Sequence, residues 1–336
     1  MRFGVVGYPS TFADLAAQVR AAEEAGFDGW FFSEHHQRDV AYQFGGNLEA
    51  LAAVAALTSR IRLGTCVLLL PLHHPLALAE SIGVIDGIAP GRFVLGVGLG
   101  YQREDFDAFG VDRRDRVSRF EEGLAVLRQV WDGGRVSFEG RHVQLHDVLV
   151  HPRPAAAPPV WVAAWTEAGV RRAARLGDAW IADPLHSIGA LTKLREAYRD
   201  EATRLGRPAS TVLTRFVALG DDEQDALRRH GAAIEGTFRF YLTNRAFTRG
   251  LDPWMSSVRA PEEVLAADVV PDRIAVGSPE TCARTLVGWA ERIGAGWVLV
   301  TFLTDPARAH AETLAALRRF GDAVRRASPV EGAAHG

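Results

Sequence analysis

The sequence predicts a single (β/α)8 barrel of the TIM type. Short apolar segments alternate with segments of helical periodicity, and eight such pairs follow one another along the chain. Some of the apolar segments, such as 61–70, are almost continuously hydrophobic, which is typical of a strand buried on both faces of a parallel sheet. No change in composition divides the 336 residues, so we expect one domain over 1–326 and a flexible C-terminal tail at 327–336.

The first four βα units follow one another without interruption. Gly26 is a typical helix stop and Asn47 a typical helix cap, and each falls where the periodicity changes. The predicted strands are 2–7, 28–33, 61–70 and 93–97, and the helices that follow them are 12–25, 47–58, 75–88 and about 115–130.

Two longer segments interrupt the second half of the chain. Residues 134–158, after strand four, contain a hairpin around Glu139-Gly140-Arg141 and a proline-rich connection. Residues 221–270, after strand seven, form a second insertion that we expect to cover the barrel as a lid. The remaining predicted strands are 160–164, 179–182, 212–219 and 297–302, with helices at about 167–176, 188–205, 278–293 and 306–326.

Composition excludes several classes of function. The 38 basic and 41 acidic side chains leave a net charge of -3, which recruits neither nucleic acid nor an anionic membrane. The apolar runs are too short to cross a bilayer and the first residues do not resemble a signal peptide, so we expect a cytoplasmic protein. Two cysteines make neither a disulfide framework nor a zinc site, and we expect no bound metal.

Polar and glycine-rich residues follow the predicted strands at the end where such barrels keep their chemistry. Ser33-Glu34-His35-His36 follows strand two, and the glycines of 96–101 would let a flat ring approach the backbone after strand four. Thr166 begins the helix after strand five, where its hydroxyl and the exposed amides could bind a phosphate. A plain helix cap explains the residue almost as well.

Several of these motifs, taken in order, resemble those of the bacterial luciferase-like, flavin-dependent monooxygenases. The matching motifs are Phe27-Asp28 leading to Glu34-His35-His36, the run 64–71 with His74-Pro75, Gly91-Arg92-Phe93, Phe109-Gly110-Val111-Asp112 and Val276-Gly277-Ser278-Pro279-Glu280. The resemblance covers residues 1–325, and the second insertion matches the family's substrate lid.

The resemblance implies a set of site residues. His35 is the active-site histidine facing the flavin, and Glu34 is either the group that orients a histidine or a carboxylate near the ring. The alternative for His35 is a structural imidazole bonded to a neighbouring carboxylate, a role that we expect rather of His36. A non-prolyl cis peptide is expected between Cys66 and Val67, beneath the ring. The cofactor-binding residues implied are Thr65, Cys66, Val67, Gly98, Leu99, Gly100, Tyr101, Arg116, Ala164, Trp165, Thr166 and Gly169.

The sequence also departs from the luciferase pattern after strand four. Gly98 and Leu99 stand where luciferase has a cysteine and an arginine, so one phosphate-binding charge is missing. We expect Arg116 to supply part of it, although Arg113, Arg114 and Arg119 are close in sequence and a solvated basic face is the simpler reading.

The expected activity is that of an FMN-dependent monooxygenase. Reduced FMN would come from a separate flavin reductase, react with O2 to a flavin hydroperoxide and oxidise a small organic substrate in a homodimeric enzyme. The alternatives kept open are a deazaflavin-dependent hydride-transfer oxidoreductase of the same fold and a noncatalytic flavin-binding protein. The G-x-G-x-G run at 96–100 lacks the spacing of a dinucleotide-binding motif, which argues against a Rossmann dehydrogenase. Metal-dependent hydrolysis is also disfavoured, because His142, His146 and His151 lie in the inserted hairpin and linker, where we expect them to be exposed.

The second insertion is rich in aromatic residues, which bias the barrel mouth toward an apolar, possibly aromatic, substrate. The alternative is that these rings only pack the insertion onto the barrel or bury a subunit contact. The residues concerned are Phe238, Phe240, Tyr241, Phe247 and Trp254.

Overall fold

The computed structural model describes residues 1–36, 46–244, 250–305 and 308–327. Its strands are β1 (Arg2–Val6), β2 (Gly29–Phe32), β3 (Arg62–Thr65), β4 (Leu68–Leu69), β5 (Phe93–Gly98), β6 (Val136–Glu139), β7 (Gln144–Val148), β8 (Val160–Ala163), β9 (Ala179–Ala182), β10 (Thr211–Leu219), β11 (Ile274–Gly277) and β12 (Ala295–Phe302). Its helices are α1 (Phe12–Glu24), α2 (Asn47–Ala55), α3 (Pro75–Ile88), α4 (Arg103–Ala108), α5 (Arg116–Asp132), α6 (Glu167–Leu176), α7 (Ile188–Arg204), α8 (Glu223–Thr243), α9 (Pro253–Ser257), α10 (Ala266–Val269), α11 (Pro279–Arg292) and α12 (Ala309–Ala327).

Eight parallel strands close into a barrel in the order β1, β2, β3, β5, β8, β9, β10, β12. The closing pair joins the two ends of the chain, since Arg2 of β1 is in register with Trp297 of β12. The predicted (β/α)8 fold is therefore confirmed. None of the helices within the described residues is both long enough and apolar enough to cross a membrane.

Aromatic side chains fill the barrel interior. Phe31, Trp161 and Trp297 lie on three strands that are not neighbours, yet their ring centroids are only 5.3 to 6.1 Å apart. Such contacts are possible only across the inside of a closed barrel. A separate apolar layer, which includes the fully buried Leu63, Ile82 and Val298, packs the strands against the surrounding helices.

Two elements differ from the expected ones. The predicted strand 61–70 is divided into β3 and β4 at the bond between Cys66 and Val67, which is cis as the resemblance implied. The strand β11 was not expected; it pairs with the last four residues of β10, while the first three pair with β9. A nine-residue β10 is long enough to serve both partners, which a count of βα units cannot reveal.

The two segments expected to be insertions have structure of their own. An antiparallel pair, β6 and β7, lies between α5 and β8, and α8 to α10 lie between β10 and β11. The boundaries of both insertions stay predictions. Phe247 and residues 328–336 of the predicted tail lie outside the described residues.

Candidate active site

A cavity of about 310 Å³ opens at the C-terminal ends of the barrel strands. This is where a parallel barrel places side chains from several loops together. The predicted site residues that line it are Glu34, His35, Cys66, Val67, Gly98, Leu99, Gly100, Tyr101, Arg116, Ala164, Trp165, Thr166 and Gly169. The topology thus brings these residues to one place, and their individual roles stay predictions.

Thr65 is the predicted site residue that does not line the cavity. Its side chain is fully buried, and its hydroxyl donates to the Gly96 carbonyl at 2.6 Å and accepts from the Gly96 amide at 3.1 Å. Both hydrogen-bonding functions therefore join β3 to β5. The hydroxyl of Thr65 is therefore used within the sheet, and its role in cofactor binding stays a prediction.

Near the cis peptide, glycines in the cavity wall allow the backbone to lie very close to a neighbouring side chain. A Cβ atom on Gly98 would lie 2.6 Å from Cγ2 of Val67, so only glycine lets β5 sit against that side chain. Gly100 has a φ of +73°, in the region that favours glycine. Burial raises the pKa of the Cys66 thiol to about 12, which favours the thiol over the thiolate at neutral pH.

Glu34 forms hydrogen bonds with two histidines and with the backbone of β4. Its Oε1 accepts hydrogen bonds from Nε2 of His36 at 2.9 Å and of His73 at 2.8 Å, and its Oε2 accepts from the Leu69 amide at 2.5 Å. Burial opposes the ionised carboxylate, but these donors outweigh it and hold the pKa of Glu34 at about 2. The carboxylate orients histidines and backbone, one of the two roles expected for it.

His36 makes the hydrogen bond to a carboxylate that its expected structural role requires. The hydrogen bond to Glu34 raises its pKa above the usual value, against the opposing effect of burial. Its ring also contacts Phe109 at a centroid distance of 4.5 Å. His36 is absent from the cavity lining, whereas its neighbour His35 is part of it.

His35 is held by a different kind of partner. Its Nδ1 lies 3.2 Å from Oε1 of Gln102, and both side chains are more than nine-tenths buried. Tyr101 packs against the imidazole edge-on, with centroids 6.3 Å apart. Neighbouring histidines therefore face a carboxylate in one case and a neutral amide in the other.

Three arginines line the cavity around the start of α6, and we call Arg113, Arg116 and Arg172 the arginine group. Burial, together with the positive charges of Arg113 and Arg172, lowers the pKa of Arg116. Within the described residues Arg172 pairs with Glu121, but neither Arg113 nor Arg116 forms an ion pair. Like charges gathered in this way favour an anion.

Thr166 provides a hydroxyl beside the arginine group. Its Oγ1 accepts from the Gly169 amide at 3.1 Å, so it caps α6, as the simpler reading had it. The hydroxyl proton is not used by that bond and can be donated to a phosphate oxygen. The first turn of a helix also directs backbone N–H groups outward, and α6 has ten residues.

The neighbouring arginines considered in the sequence have other roles. Arg114 is paired with Asp112 and exposed, and Arg119 donates to the Pro71 carbonyl at 2.7 Å. Arg172 was missed because in sequence it looks like an ordinary charge on a helix surface. The signal was its spacing, since Thr166, Gly169 and Arg172 recur every three residues and so lie near one face of α6.

An aromatic group, Tyr101, Trp165 and Tyr241, forms another part of the wall. Tyr101 lies 5.8 Å from Trp165 and 6.3 Å from Tyr241, measured between ring centroids. Tyr241 comes from α8, in the segment expected to be the lid. It is the one described aromatic residue of that segment that lines the cavity.

The other described aromatics of the lid segment pack within it or against residues that flank it. Phe238 is fully buried against Phe216 and Trp254, with centroid distances of 6.3 and 5.9 Å. Trp254 lies beneath the guanidinium of Arg273 at 4.9 Å, and Phe240 contacts Tyr241. Most of these rings therefore stabilise the segment, the alternative left open above, because a 21-residue helix needs a buried face of its own.

The loop after β9 contributes wall residues that sequence reasoning missed. Asp183 and Leu185 line the cavity, and Asp183 also accepts from Nδ1 of the fully buried His186 at 2.9 Å. Arg215 donates to the carbonyls of Asp183 and His186 and so holds this loop in place. The only sequence signal was the position of Asp183, directly after a predicted strand.

The histidines considered for metal binding lie elsewhere. His142 makes a 2.8 Å hydrogen bond with Ser118, and His146 and His151 are exposed. Within the described ranges, no group of three or more His, Cys, Asp or Glu side chains is placed to hold a metal ion.

The glycines of this cavity allow a flat group to lie close to the backbone, and the arginines beside a helix start favour an anion, so the site suits a flat, anionic cofactor. The chain belongs to the luciferase-like monooxygenase family, which it matches over residues 2–296. The family resemblance of the sequence motifs is thereby confirmed.

The proteins similar to this chain include F420-dependent dehydrogenases and a monooxygenase. The F420-dependent glucose-6-phosphate dehydrogenase of Kineococcus radiotolerans is 32% identical over 298 residues, 84% of each chain. The crystal structure of the monooxygenase RslO1 from Streptomyces bottropensis has a TM-score of 0.78 at 23% identity, covering 97% of this chain and 99% of that one. An F420-dependent secondary alcohol dehydrogenase has a TM-score of 0.76 at 17% identity, covering 96% and 99%. The two solved structures speak for the fold alone.

Proposed function

We propose that the protein is a deazaflavin (F420)-dependent dehydrogenase, the alternative reading of the sequence, rather than an FMN-dependent monooxygenase. The observation that carries this proposal is the relative that is 32% identical across 84% of the chain and is named as F420-dependent. The arginine group agrees with it, because Arg113, Arg116 and Arg172 suit a cofactor with several anionic groups in its side chain.

The residues present fit such a cofactor. Gly98 and Gly100 bring no side chain to the cavity wall, so a planar ring can lie close to the backbone there. The arginine group and Thr166 can hold the phosphate. When bound, a deazaflavin accepts or donates a hydride at one ring carbon.

The chain's own contribution is to position the substrate and move a proton. His35, in the cavity wall, is the base that takes the hydroxyl proton of an alcohol while the hydride leaves its carbon, so that the alcohol becomes a carbonyl compound. Tyr101, Trp165 and Tyr241 exclude water and favour an apolar, uncharged substrate.

An anaerobic titration tests the cofactor. Purified protein is titrated separately with F420 and FMN, each oxidised and reduced, and is then offered secondary and aromatic alcohols with F420 while the 420 nm absorbance is followed. We expect tight binding of F420 and alcohol-dependent bleaching. Tight binding of reduced FMN with O2-dependent substrate oxidation, supported by a flavin reductase, would reinstate the monooxygenase.

A further inference from the structure

Gln102 uses its side chain in an unusual way for its position. It directly precedes α4, where polar side chains commonly accept from the helix backbone, but it makes no such cap. Instead its Oε1 lies 3.2 Å from Nδ1 of His35, a residue 67 positions earlier in the chain. The contact joins the loop after β5 to the loop after β2.

The chemistry of this contact decides where the proton of His35 lies. An amide oxygen accepts hydrogen bonds and cannot donate them, so Nδ1 of His35 must carry the hydrogen. In the neutral imidazole the lone pair is then on Nε2. The opposite tautomer would bring two lone pairs together at a site where Gln102 is 8% and His35 9% exposed.

The neighbouring histidine shows what a charged partner does instead. Glu34 binds His36 through a carboxylate, and the pKa of His36 is raised as a result. Gln102 adds no charge, so it can orient His35 without favouring the imidazolium form. A base has to be unprotonated before it can accept a proton, so a neutral partner suits His35.

We propose that Gln102 is the positioning residue that holds His35 as its Nδ1–H tautomer and thereby makes Nε2 the atom that takes the substrate proton. The choice of Nε2 as the accepting atom rests on the proposed function. The tautomer itself does not, and it can be measured without cofactor or substrate.

Nitrogen NMR of protein labelled with 15N-histidine tests the tautomer directly. The signals of His35 are assigned among the eleven histidines by their loss in His35→Asn. We expect a protonated Nδ1 in the parent, a shift of population toward the Nε2–H form in Gln102→Leu, and a His35 pKa raised by about one to three units in Gln102→Glu. Gln144→Leu, an exposed position on β7, is the matched control.

Kinetics with F420 and an alcohol test the consequence. Gln102→Leu is expected to lower kcat by about tenfold to a hundredfold with KM within about threefold, the scale seen when the partner of a functional histidine is removed. In Gln102→Glu the acidic limb of the kcat/KM profile should move up in pH by the shift that NMR reports. Gln144→Leu should match the parent.

The outcomes separate the two claims. An Nε2–H tautomer in the parent, or an unchanged tautomer in a folded Gln102→Leu, overturns the positioning role. The predicted tautomer in a protein that oxidises no alcohol with F420 supports the orientation of His35 and refutes the proposed function. Circular dichroism of each variant establishes that it is folded, and Gln102→Glu retains the side-chain size if Gln102→Leu does not fold.

Discussion

The arginine group and the aromatic group line one cavity but recognise opposite properties. Arg113, Arg116 and Arg172 gather positive charge beside the start of α6, whereas the aromatic group presents rings close to His35. Charge can bind an anionic group tightly without touching the reacting atoms, and rings can exclude water without binding tightly. In the proposed function, this difference gives affinity for the cofactor to one region and control of the reaction to the other.

The most severe test of this division is His35→Asn. Removing the base should lower kcat by about 10² to 10⁴ while leaving the Kd of the cofactor within about threefold, since the arginine group is untouched. Stopped-flow reduction and a fluorescence titration measure the two quantities. A parallel loss of affinity, or turnover equal to the parent, would mean that the division of roles is wrong.

Glu34 is a buried part of the cavity wall, and its hydrogen bonds should stabilise the fold. Glu34→Gln is expected to lower the free energy of unfolding by about 2 to 3 kcal/mol, because hydrogen bonds to a buried charge are lost. Urea denaturation at several pH values measures this difference.

The difference in the free energy of unfolding between the parent and Glu34→Gln should decrease at both low and high pH. The pKa of Glu34 is lowered from 4.5 to about 2, so its contribution is complete above pH 4.5 and is lost as the pH falls toward 2. The pKa of His36 is raised from 6.5, so its contribution is complete below pH 6.5 and is lost as the pH rises through the raised value. The difference between parent and variant should therefore be greatest between pH 4.5 and 6.5. A difference that does not vary with pH would argue against the ionised pair.

Thr166→Ala tests the region of the arginine group, where the cofactor phosphate is proposed to bind. Losing one hydrogen bond to a charged group should weaken binding of the phosphorylated cofactor by about tenfold, with kcat at saturation unchanged. Thr166→Ser keeps the hydroxyl and is the control for the cap. If the dephosphorylated cofactor loses the same affinity, the hydroxyl serves only α6.

The smallest effect is expected for Tyr241→Leu. The change keeps an apolar side chain but removes the ring that contacts Tyr101, so KM for aromatic alcohols should rise about threefold to tenfold, within the range of one aromatic contact. Phe240→Leu, whose residue does not line the cavity, is the matched control. Equal KM values for Tyr241→Leu and the parent would remove Tyr241 from substrate binding.

Periodicity was sufficient for the barrel and for the order of its strands. The eight barrel strands follow the apolar segments because burial on both faces leaves a continuous hydrophobic signal. It was not sufficient for β11, which pairs with the end of β10 and does not belong to the eight strands of the barrel, or for the break of 61–70 at Cys66. The cis bond there was expected from family motifs and not from local composition.

The candidate site was predictable where a residue directly follows a strand. His35 and Tyr101 could be placed in this way, since the strand end determines their position. Gln102 and Arg172 could not be assigned from sequence, because each depends on a partner from another unit: Gln102 meets a residue of the second unit, and Arg172 joins arginines that precede α5 or begin it. Thr65 also follows from the strand end, but its hydroxyl is used by the neighbouring strand and does not line the cavity.

The register of Arg2 with Trp297 has a consequence for how the molecule is made. During synthesis, β1 emerges before the other barrel strands, and its partner β12 follows almost 300 residues later. One edge of β1 and one edge of β10 stay unpaired until β12 has emerged, and open edges invite association with other chains. Closing a pair so distant in sequence is also slow compared with local contacts. The arrival of β12 therefore decides when these two edges of the nascent barrel are closed to other chains.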